Sequence, residues 1–231
     1  MRRLLTAIML CPAFCAGLIA QNLPKAYCCT DSGTVLHYER HGAEDGRLWW
    51  TYTSATGEVK TLDDGSLELT NTFSFKQVNE KPPVTGSFST TALVKPDGDV
   101  IVDVADLAAT IAAKRFKAFK FKSSGGNSLI PADMRPGDKL EDIHAVVKWA
   151  AVKYIIDYTE RVVLRRETVT VPAGTFDCIV LREHKFETAP FLHRERIVTT
   201  WYAPGIGSVR HDTCFLDGST ETTEVLVAID R

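Results

Sequence analysis

The feature that most constrains the fold is a series of strand-like segments that fills the second half of the chain. Residues 162–171, 178–186, 194–202, 208–215 and 221–229 are rich in β-branched and aromatic side chains, and turn residues separate them. Consecutive short strands joined by tight turns pair antiparallel with their neighbours. We therefore expect an all-β, mainly antiparallel fold with a strongly curved sheet, either an open barrel or a sandwich.

Prolines and glycines mark where these strands reverse. Pro172 and Gly174 stand between the first two segments, and Pro204, Gly205 and Gly207 stand between the third and the fourth. Proline fixes φ and glycine tolerates a positive φ, which are the two properties that a tight reversal requires. We therefore predict that these five residues are structural turn residues.

The first half of the chain shows the same period of two, with one interruption. Residues 35–40 and 49–54 alternate as strands do, and Asp97-Gly98 predicts a hairpin turn. Residues 103–116 change to a helical period with their apolar side chains on one face, so we expect one helix there. Residues 140–158 match a helical stripe and a pair of strands about equally well, and the pattern alone leaves both open.

Residues 1–20 predict a signal peptide. Two arginines precede an apolar run over residues 4–19, which has the length of a signal-peptide core and is short for a membrane span. Cleavage after Ala20 leaves residues 21–231, which we expect to form a single β domain. The mature protein is then secreted into the periplasm or the extracellular space, without a membrane span. Bulky residues precede Cys11 and Cys15, which favours release over lipid anchoring.

The charge balance argues against nucleic acid as a partner. Lysine and arginine number 27 against 29 acidic residues, a formal net charge of −2, and loss of the signal peptide makes the chain two charges more negative. So mild a balance does not attract a polyanion. The most basic run, residues 114–122, alternates lysine with aromatic residues and predicts an exposed strand whose lysines lie on the solvent-facing side.

Four cysteines follow the predicted signal peptide, and export carries them into an oxidising compartment where disulfides persist. A bond between the adjacent Cys28 and Cys29 is strained, so we expect at least one of them to pair with Cys178 or Cys214. A bridge between the two later cysteines is also open. No C-x-x-C spacing indicates a metal site.

Catalytic and cofactor-binding signatures are missing from the sequence. It contains no G-x-S-x-G, H-E-x-x-H, P-loop or dinucleotide-binding motif. The best metal candidate combines Glu39 with His37 and His41, but two histidines at that spacing on a regular strand lie about 13 Å apart. We therefore predict no metal and no cofactor, and we favour a non-enzymatic protein.

Two groups of short motifs carry a family resemblance. The first is Leu129-Ile130-Pro131 followed by Pro-Gly-Asp-Lys-Leu-Glu-Asp at residues 136–142, and the second combines residues 171–178 with Trp-Tyr-Ala-Pro-Gly-Ile-Gly at residues 201–207. In this order and spacing they resemble the DUF3108-like family of secreted bacterial proteins. The resemblance implies an exported β protein, implies strands over residues 140–158, and brings no catalytic residues.

The many aromatic residues of the predicted strands suggest that the curved sheet binds an apolar or amphipathic ligand, such as a lipid or a glycan, in its concavity. The aromatic residues behind this hypothesis are Trp49, Trp50, Tyr52, Phe73, Phe75, Phe88, Trp149 and Tyr154. The predicted ligand-binding residues are Trp49, Tyr52, Trp149, Tyr154, Trp201 and Tyr202.

Two other functions stay open at this point. A structural or interaction module of a cell-envelope assembly, with an envelope protein as its partner, would expose an apolar patch. A hydrolase with a scattered site would use histidines, and the candidates are His37, His41, His144 and His184.

Overall fold

The strands of the computed structural model pair into one continuous antiparallel sheet. The structure describes residues 25–79, 81–115, 119–190 and 192–231. Within them, 13 strands follow the order β6-β8-β9-β10-β11-β12-β13-β1-β2-β3-β4-β5-β7. The strands are β1 (Val35–Gly42), β2 (Leu48–Thr61), β3 (Leu67–Gln77), β4 (Val84–Val94), β5 (Val100–Asp103), β6 (Lys122–Gly125), β7 (Asn127–Ile130), β8 (Ile143–Trp149), β9 (Val152–Val171), β10 (Gly174–Ala189), β11 (Leu192–Ala203), β12 (Gly207–Cys214) and β13 (Thr220–Asp230).

The sheet curls until its two ends nearly meet, so the fold is a barrel-like one. The helix α1 (Val104–Arg115) joins β5, near one end of the strand order, to β6 at the other. Gly126, between β6 and β7, has a φ of +86° and lies so close to α1 and β8 that a Cβ atom there would be 2.8 Å from Ala105 N and from Ala145 Cβ. Only glycine allows this close approach.

A buried arginine bridges the remaining gap between the ends of the sheet. Arg161 of β9 donates through Nε to Glu183 Oε1 at 2.6 Å and through Nη1 to the Glu141 carbonyl oxygen at 2.7 Å. Its Nη2 donates to Ser128 Oγ of β7 at 3.2 Å. These bonds connect β7, at one end of the sheet, with β9 and β10 near the other.

The chain closes one end of the barrel with the segment that precedes β1. Ala26 and Tyr27 are buried in a cluster that draws on strands from both halves of the sheet. Gly205 N donates to the Ala26 carbonyl oxygen at 2.7 Å, and Tyr27 packs edge-on against Tyr202 with ring centroids 6.3 Å apart. The core therefore concentrates at this end, and we call it the closed end.

The fold confirms the expected class, a mainly antiparallel and strongly curved sheet, and it confirms one helix where residues 103–116 predict it. Residue 116, like residues 1–20, lies outside the described residues. Residues 140–158 form β8 and the start of β9, as the resemblance implied, with Ile143 opposite Tyr158 in the ladder. β8 pairs with β6 and β9, and the start of β9 pairs with β10, so a helix here would leave these strands without partners.

Three expectations were wrong. The strand predicted over residues 114–122 is wrong at both of its ends, since α1 continues to Arg115 and β6 begins only at Lys122, while residues 116–118 lie outside the described residues. The serines, glycines and prolines of residues 123–138 predict an irregular loop, but this segment contains most of β6 and all of β7, because the closing sheet offers these short segments pairing partners.

The predicted disulfides are the third correction. Cys28, Cys29, Cys178 and Cys214 are all free thiols in the structure. Cys29 and Cys178 are buried, and Sγ of Cys178 points to the Phe176 carbonyl oxygen at 3.5 Å. Burial in apolar surroundings makes packing the role of these thiols.

Candidate functional site

Successive inward-facing residues change from apolar to charged along several strands. On β10 the row starts at the closed end with the buried Ile179 and Leu181, continues through Glu183, and ends with Lys185 and Glu187. The side chains of a strand alternate between its faces, so these residues with even spacing share the inner face. The barrel interior therefore has an apolar floor and a charged opening, which we call the mouth.

A mainly apolar central cavity of about 420 Å³ lies inside the curved sheet. Tyr27, Cys28 and Ile206 contribute to its floor at the closed end, and Tyr202 and Tyr52 contribute to its walls. Burial raises the pKa of the Cys28 thiol to about 12, which keeps it in the neutral form. Drug-sized ligand sites commonly enclose about 300–1,000 Å³, so the central cavity has the volume of a binding site.

A second compartment of about 340 Å³, the aromatic slot, lies between α1 and strands β2 to β4. Leu107 and Ile111 project into it from the helix, and Ile111 is 38% exposed although it belongs to the inner side of α1. Four aromatic residues line the opposite wall, with ring centroids 5.3–6.3 Å apart between neighbours. They are Trp50, Phe73, Phe75 and Phe88.

Arg40 and Glu224 form the polar centre of the interior, where the apolar compartments meet the mouth. Arg40 Nε and Nη2 donate to Glu224 Oε2 at 2.9 and 2.7 Å, and the Tyr52 hydroxyl donates to Glu224 Oε1 at 2.7 Å. The Tyr52 ring stacks on Tyr38 with centroids 4.6 Å apart. Burial, followed by the charge of Glu224, raises the pKa of Tyr52 well above its ordinary value. Tyr52 is therefore a hydrogen-bond donor that stays neutral.

His211 faces the same polar centre from β12. Its Nδ1 is hydrogen bonded to Thr200 Oγ1 at 2.8 Å. Burial lowers the pKa of His211 to about 4, and although Glu224 opposes this effect, Arg40 and Lys185 add to it. The imidazole is therefore neutral at physiological pH and adds no charge to the interior.

The mouth has a volume of about 470 Å³ and is lined mainly by polar side chains. Its cations come from β1, β10 and β11, and they face a rim formed by Trp49, Gln77 and Asn79. Arg196 forms a two-point ion pair with Glu221, with Nε and Nη2 2.8 and 3.1 Å from its carboxylate oxygens. The cations of the mouth are Arg40, Lys185, Arg194 and Arg196.

The structure brings together some of the residues predicted to bind a ligand and separates others. Tyr52 and Tyr202 line the central cavity, and Trp49 lines the mouth. Trp201 is 6% exposed in the core, where its Nε1 donates to Glu167 Oε2 at 3.0 Å. Trp149 packs against Phe121 with ring centroids 5.4 Å apart.

Tyr154, the sixth predicted ligand-binding residue, contributes indirectly. Its hydroxyl donates to Glu187, one of the carboxylates of the mouth. Tyr154 therefore holds a residue of the mouth without lining any of the three compartments described above.

The five predicted turn residues lie in two reversals of the sheet. Pro172 stands between β9 and β10, where Gly174 has a φ of +143°. Pro204 and Gly205 lie between β11 and β12, and Gly205 has a φ of +74°. Gly207 is the first residue of β12 and has a φ of +107°. Both glycines approach the segment that closes the barrel, so this turn also supports the floor of the central cavity.

The candidate histidines pair with carboxylates at four separate places. His37 Nε2 lies 2.8 Å from Asp230, His144 Nδ1 lies 2.6 Å from Asp157, and His184 Nε2 lies 2.8 Å from Glu195. His41 Nε2 lies 3.0 Å from Glu39 Oε2. Within the described part of the chain, no group of three or more His, Cys, Asp or Glu side chains could hold a metal ion.

The sequence pattern did not single out the charged residues of the mouth, Arg40 and Lys185 among them. Their signal was the ordinary alternation of each strand, in which Arg194 and Arg196 follow the same period as Val198 and Thr200. The pattern assigns these residues to one face of β11. It does not say that this face continues inward to the cavity.

Comparison with known proteins agrees with this architecture. A model of the DUF3108-like family matches residues 33–226. A Bacteroides fragilis protein, provisionally described as an exported protein with a YmcC-like fold, superposes with a TM-score of 0.72 and 19% identity over 90% of this chain and 100% of its own. A Parabacteroides distasonis protein, provisionally described as a lipoprotein, superposes with a TM-score of 0.70 and 16% identity over 89% and 99% of the two chains. At these identities the likeness shows a shared fold.

No functionally curated protein is significantly similar to the chain in sequence. None of the described residues belongs to a helix long and apolar enough to cross a membrane.

Proposed function

The chain belongs to the DUF3108-like family, and from its fold and its cavity we propose that it is an exported binding protein for an apolar or amphipathic molecule. The ligand lies inside the curved sheet, with its apolar part in the central cavity and the aromatic slot. The predicted signal sequence supports a location outside the cytoplasm, and so do the descriptions of the two structural relatives, one as an exported protein and the other as a lipoprotein.

The observation that carries this proposal is the aromatic slot. A helix normally buries its apolar face against the sheet it covers, whereas Leu107 and Ile111 face an open compartment across from four aromatic rings. Apolar surface that is left in contact with water costs about 25 cal/mol per Å² relative to burial. A ligand that fills the slot recovers this free energy, which gives it affinity without any special polar contact.

The interaction module stays a second candidate because of one exposed patch. Phe215 and Leu216, in the turn between β12 and β13, are 39% and 58% exposed. Contiguous exposed apolar surface is a feature of protein contacts, and these two adjacent residues contribute to such a surface. Neither residue lines any of the three compartments, but the Phe215 ring lies 4.4 Å from the guanidinium group of Arg196 in the mouth, so Leu216 is the residue that tests this patch independently of ligand binding.

A test of the binding function starts from protein isolated from its native envelope fraction. Native mass spectrometry is expected to detect a bound amphiphile, and a fluorescent fatty-acyl probe is expected to bind the delipidated protein. Ile111→Ser should weaken probe binding several-fold while it leaves stability nearly unchanged, because Ile111 is already partly exposed. Leu216→Ser serves as the matched control, since it removes an exposed apolar residue outside the slot. Absence of both co-purified ligand and probe binding in folded protein would contradict the proposal.

A further inference from the structure

We infer that the mouth binds an anionic head group, a carboxylate or a phosphate carried on a hydrocarbon chain. This inference rests on the proposed function, because it assigns the polar end of a ligand whose apolar end fills the central cavity and the slot. It specifies the charge of the ligand's head group, which the proposed function leaves open.

The charges of the mouth do not balance. Among the described residues that line the mouth and the adjoining polar centre, the four cations face three carboxylates, Glu187, Glu221 and Glu224. His211 adds no charge there, because burial lowers its pKa to about 4. The surplus of one positive charge matches a ligand with one negative charge.

The surplus positive charge lies beside Glu187, because Lys185 and Arg194 share this single carboxylate. Lys185 Nζ lies 3.3 Å and Arg194 Nη1 lies 3.7 Å from the same oxygen, Glu187 Oε2. Strong charge-assisted hydrogen bonds are about 2.7–2.9 Å long, so neither cation is well paired. In contrast, Arg40 and Arg196 approach their own carboxylates at 2.7 and 2.8 Å.

The two loosely paired cations also differ in how strongly they should favour an anion. The side chain of Lys185 is 25% exposed, and burial lowers its pKa although Glu187 opposes this effect. A buried ammonium group gains more from an additional anion than an exposed one does, because water screens it less. The side chain of Arg194 is 51% exposed, so its contribution is smaller.

The position of these cations fits an amphiphile that enters with its apolar end first. Lys185 Nζ lies 5.7 Å from the centre of the Tyr158 ring, and Tyr158 lines both the central cavity and the mouth. Arg40 and Trp50 line both the mouth and the aromatic slot. A chain in either apolar compartment therefore leaves its head group beside Lys185 and Arg194.

The test compares ligands that share one hydrocarbon chain and differ in the head group. Dissociation constants of the delipidated full chain are measured by titration calorimetry for hexadecanoate, hexadecyl phosphate, hexadecanol and hexadecyltrimethylammonium. We expect the anions to bind about tenfold more tightly than hexadecanol and the cation to bind most weakly. The two anionic arms distinguish a carboxylate from a phosphate as the better head group.

Variants then locate the head group. Lys185→Met should weaken the better anion about tenfold and Arg194→Gln about threefold, and both should leave hexadecanol binding unchanged. Arg165→Gln is the matched control, since Arg165 is 50% exposed and pairs with Glu167 away from the mouth. Unchanged hexadecanol binding and far-UV circular dichroism verify that each variant is folded.

The outcomes separate this inference from the function on which it rests. Equal affinity for hexadecanol and both anions, or unchanged anion binding in Lys185→Met and Arg194→Gln, would overturn the anionic site and leave the binding function standing. Failure of all four amphiphiles to bind the folded protein would overturn the binding function itself.

Discussion

Arg161 pairs with Glu183 of the neighbouring strand and reaches Ser128 of β7 at the other end of the sheet, and the loss of this buried arginine is predicted to be costly. The side chain of Arg161 is 1% exposed and that of Glu183 is 8% exposed. Arg161 also donates to the Glu141 carbonyl oxygen and to Ser128 Oγ. The substitution Arg161→Met removes all these hydrogen bonds and leaves the Glu183 carboxyl group buried without its partner.

The expected size of the effect follows from this burial. Removal of one member of a buried pair costs about 3–5 kcal/mol, because the remaining charge is uncompensated. Replacement of both members by apolar side chains removes that charge and is often neutral or stabilising. We therefore expect Arg161→Met to lower the free energy of unfolding by about 3–5 kcal/mol at neutral pH. The double variant Arg161→Met/Glu183→Leu should recover most of this loss.

The deficit of the single variant should depend on pH. Burial raises the pKa of Glu183 above its ordinary value of 4.5, and Arg161 opposes that shift, so the pKa rises further without Arg161. A carboxyl group with a raised folded-state pKa binds more protons in the folded state than in the unfolded state. Stability therefore falls as the pH rises above 4.5 towards the folded-state pKa. The deficit of Arg161→Met should be smaller at about pH 5 than at about pH 8.

Urea unfolding, followed by tryptophan fluorescence and far-UV circular dichroism, measures these free energies at both pH values. Two results would refute the reasoning. The first is a single variant within about 1 kcal/mol of the wild type, which is the size of an average substitution. The second is a double variant that is no more stable than Arg161→Met.

Three further predictions concern the close packing, the cavity and the cysteines. Gly126→Ala should lower the free energy of unfolding by about 1–3 kcal/mol, because its Cβ would be 2.8 Å from Ala105 N at a φ of +86°. Gly137 also has a positive φ, +96°, but no atom lies within 4 Å of the position of its Cβ, so Gly137→Ala should lower the free energy of unfolding by less. Equal urea midpoints for the two variants would contradict the close approach at Gly126. The depressed pKa of His211, about 4 against an ordinary 6.5, means that the unfolded state takes up the proton first, so stability should fall as the pH drops from 6.5 to 4. His211→Gln should flatten that part of a stability profile from denaturant unfolding, and an unchanged slope would show that another group titrates. Alkylation of the denatured, unreduced mature protein should label Cys28, Cys29, Cys178 and Cys214, and fewer labels by mass spectrometry would disprove free thiols.

Local features of the structure were predictable because neighbouring residues determine them. The alternation over residues 162–229 predicted β9 to β13, and Asp97-Gly98 lies in the hairpin between β4 and β5. The helical period over residues 103–116 predicted α1 to within a residue at its start. In each case side-chain period and turn chemistry act over a few residues.

Residues 140–158 show where local pattern stops being sufficient. Their apolar side chains satisfy a helical stripe and a strand pair alike, and only the ladder that joins Ile143 to Tyr158, and Phe186 of β10 to Asp157, decides for strands. The cysteines show the same limit in another way. Their number and the expected compartment predicted disulfides, but the distances between them depend on the complete fold.

The amino-acid sequence by itself determined the class of the fold, because strand alternation and turn residues are written into short segments. It also supplied the aromatic and charged residues of the interior. Tertiary structure alone decided which of them meet: Arg40 and Glu224 are 184 positions apart and form one ion pair. The physical reason is the closure of the sheet, which depends on long-range strand register and on the Arg161 bridge, and which turns ordinary inner faces into an apolar cavity with a charged mouth.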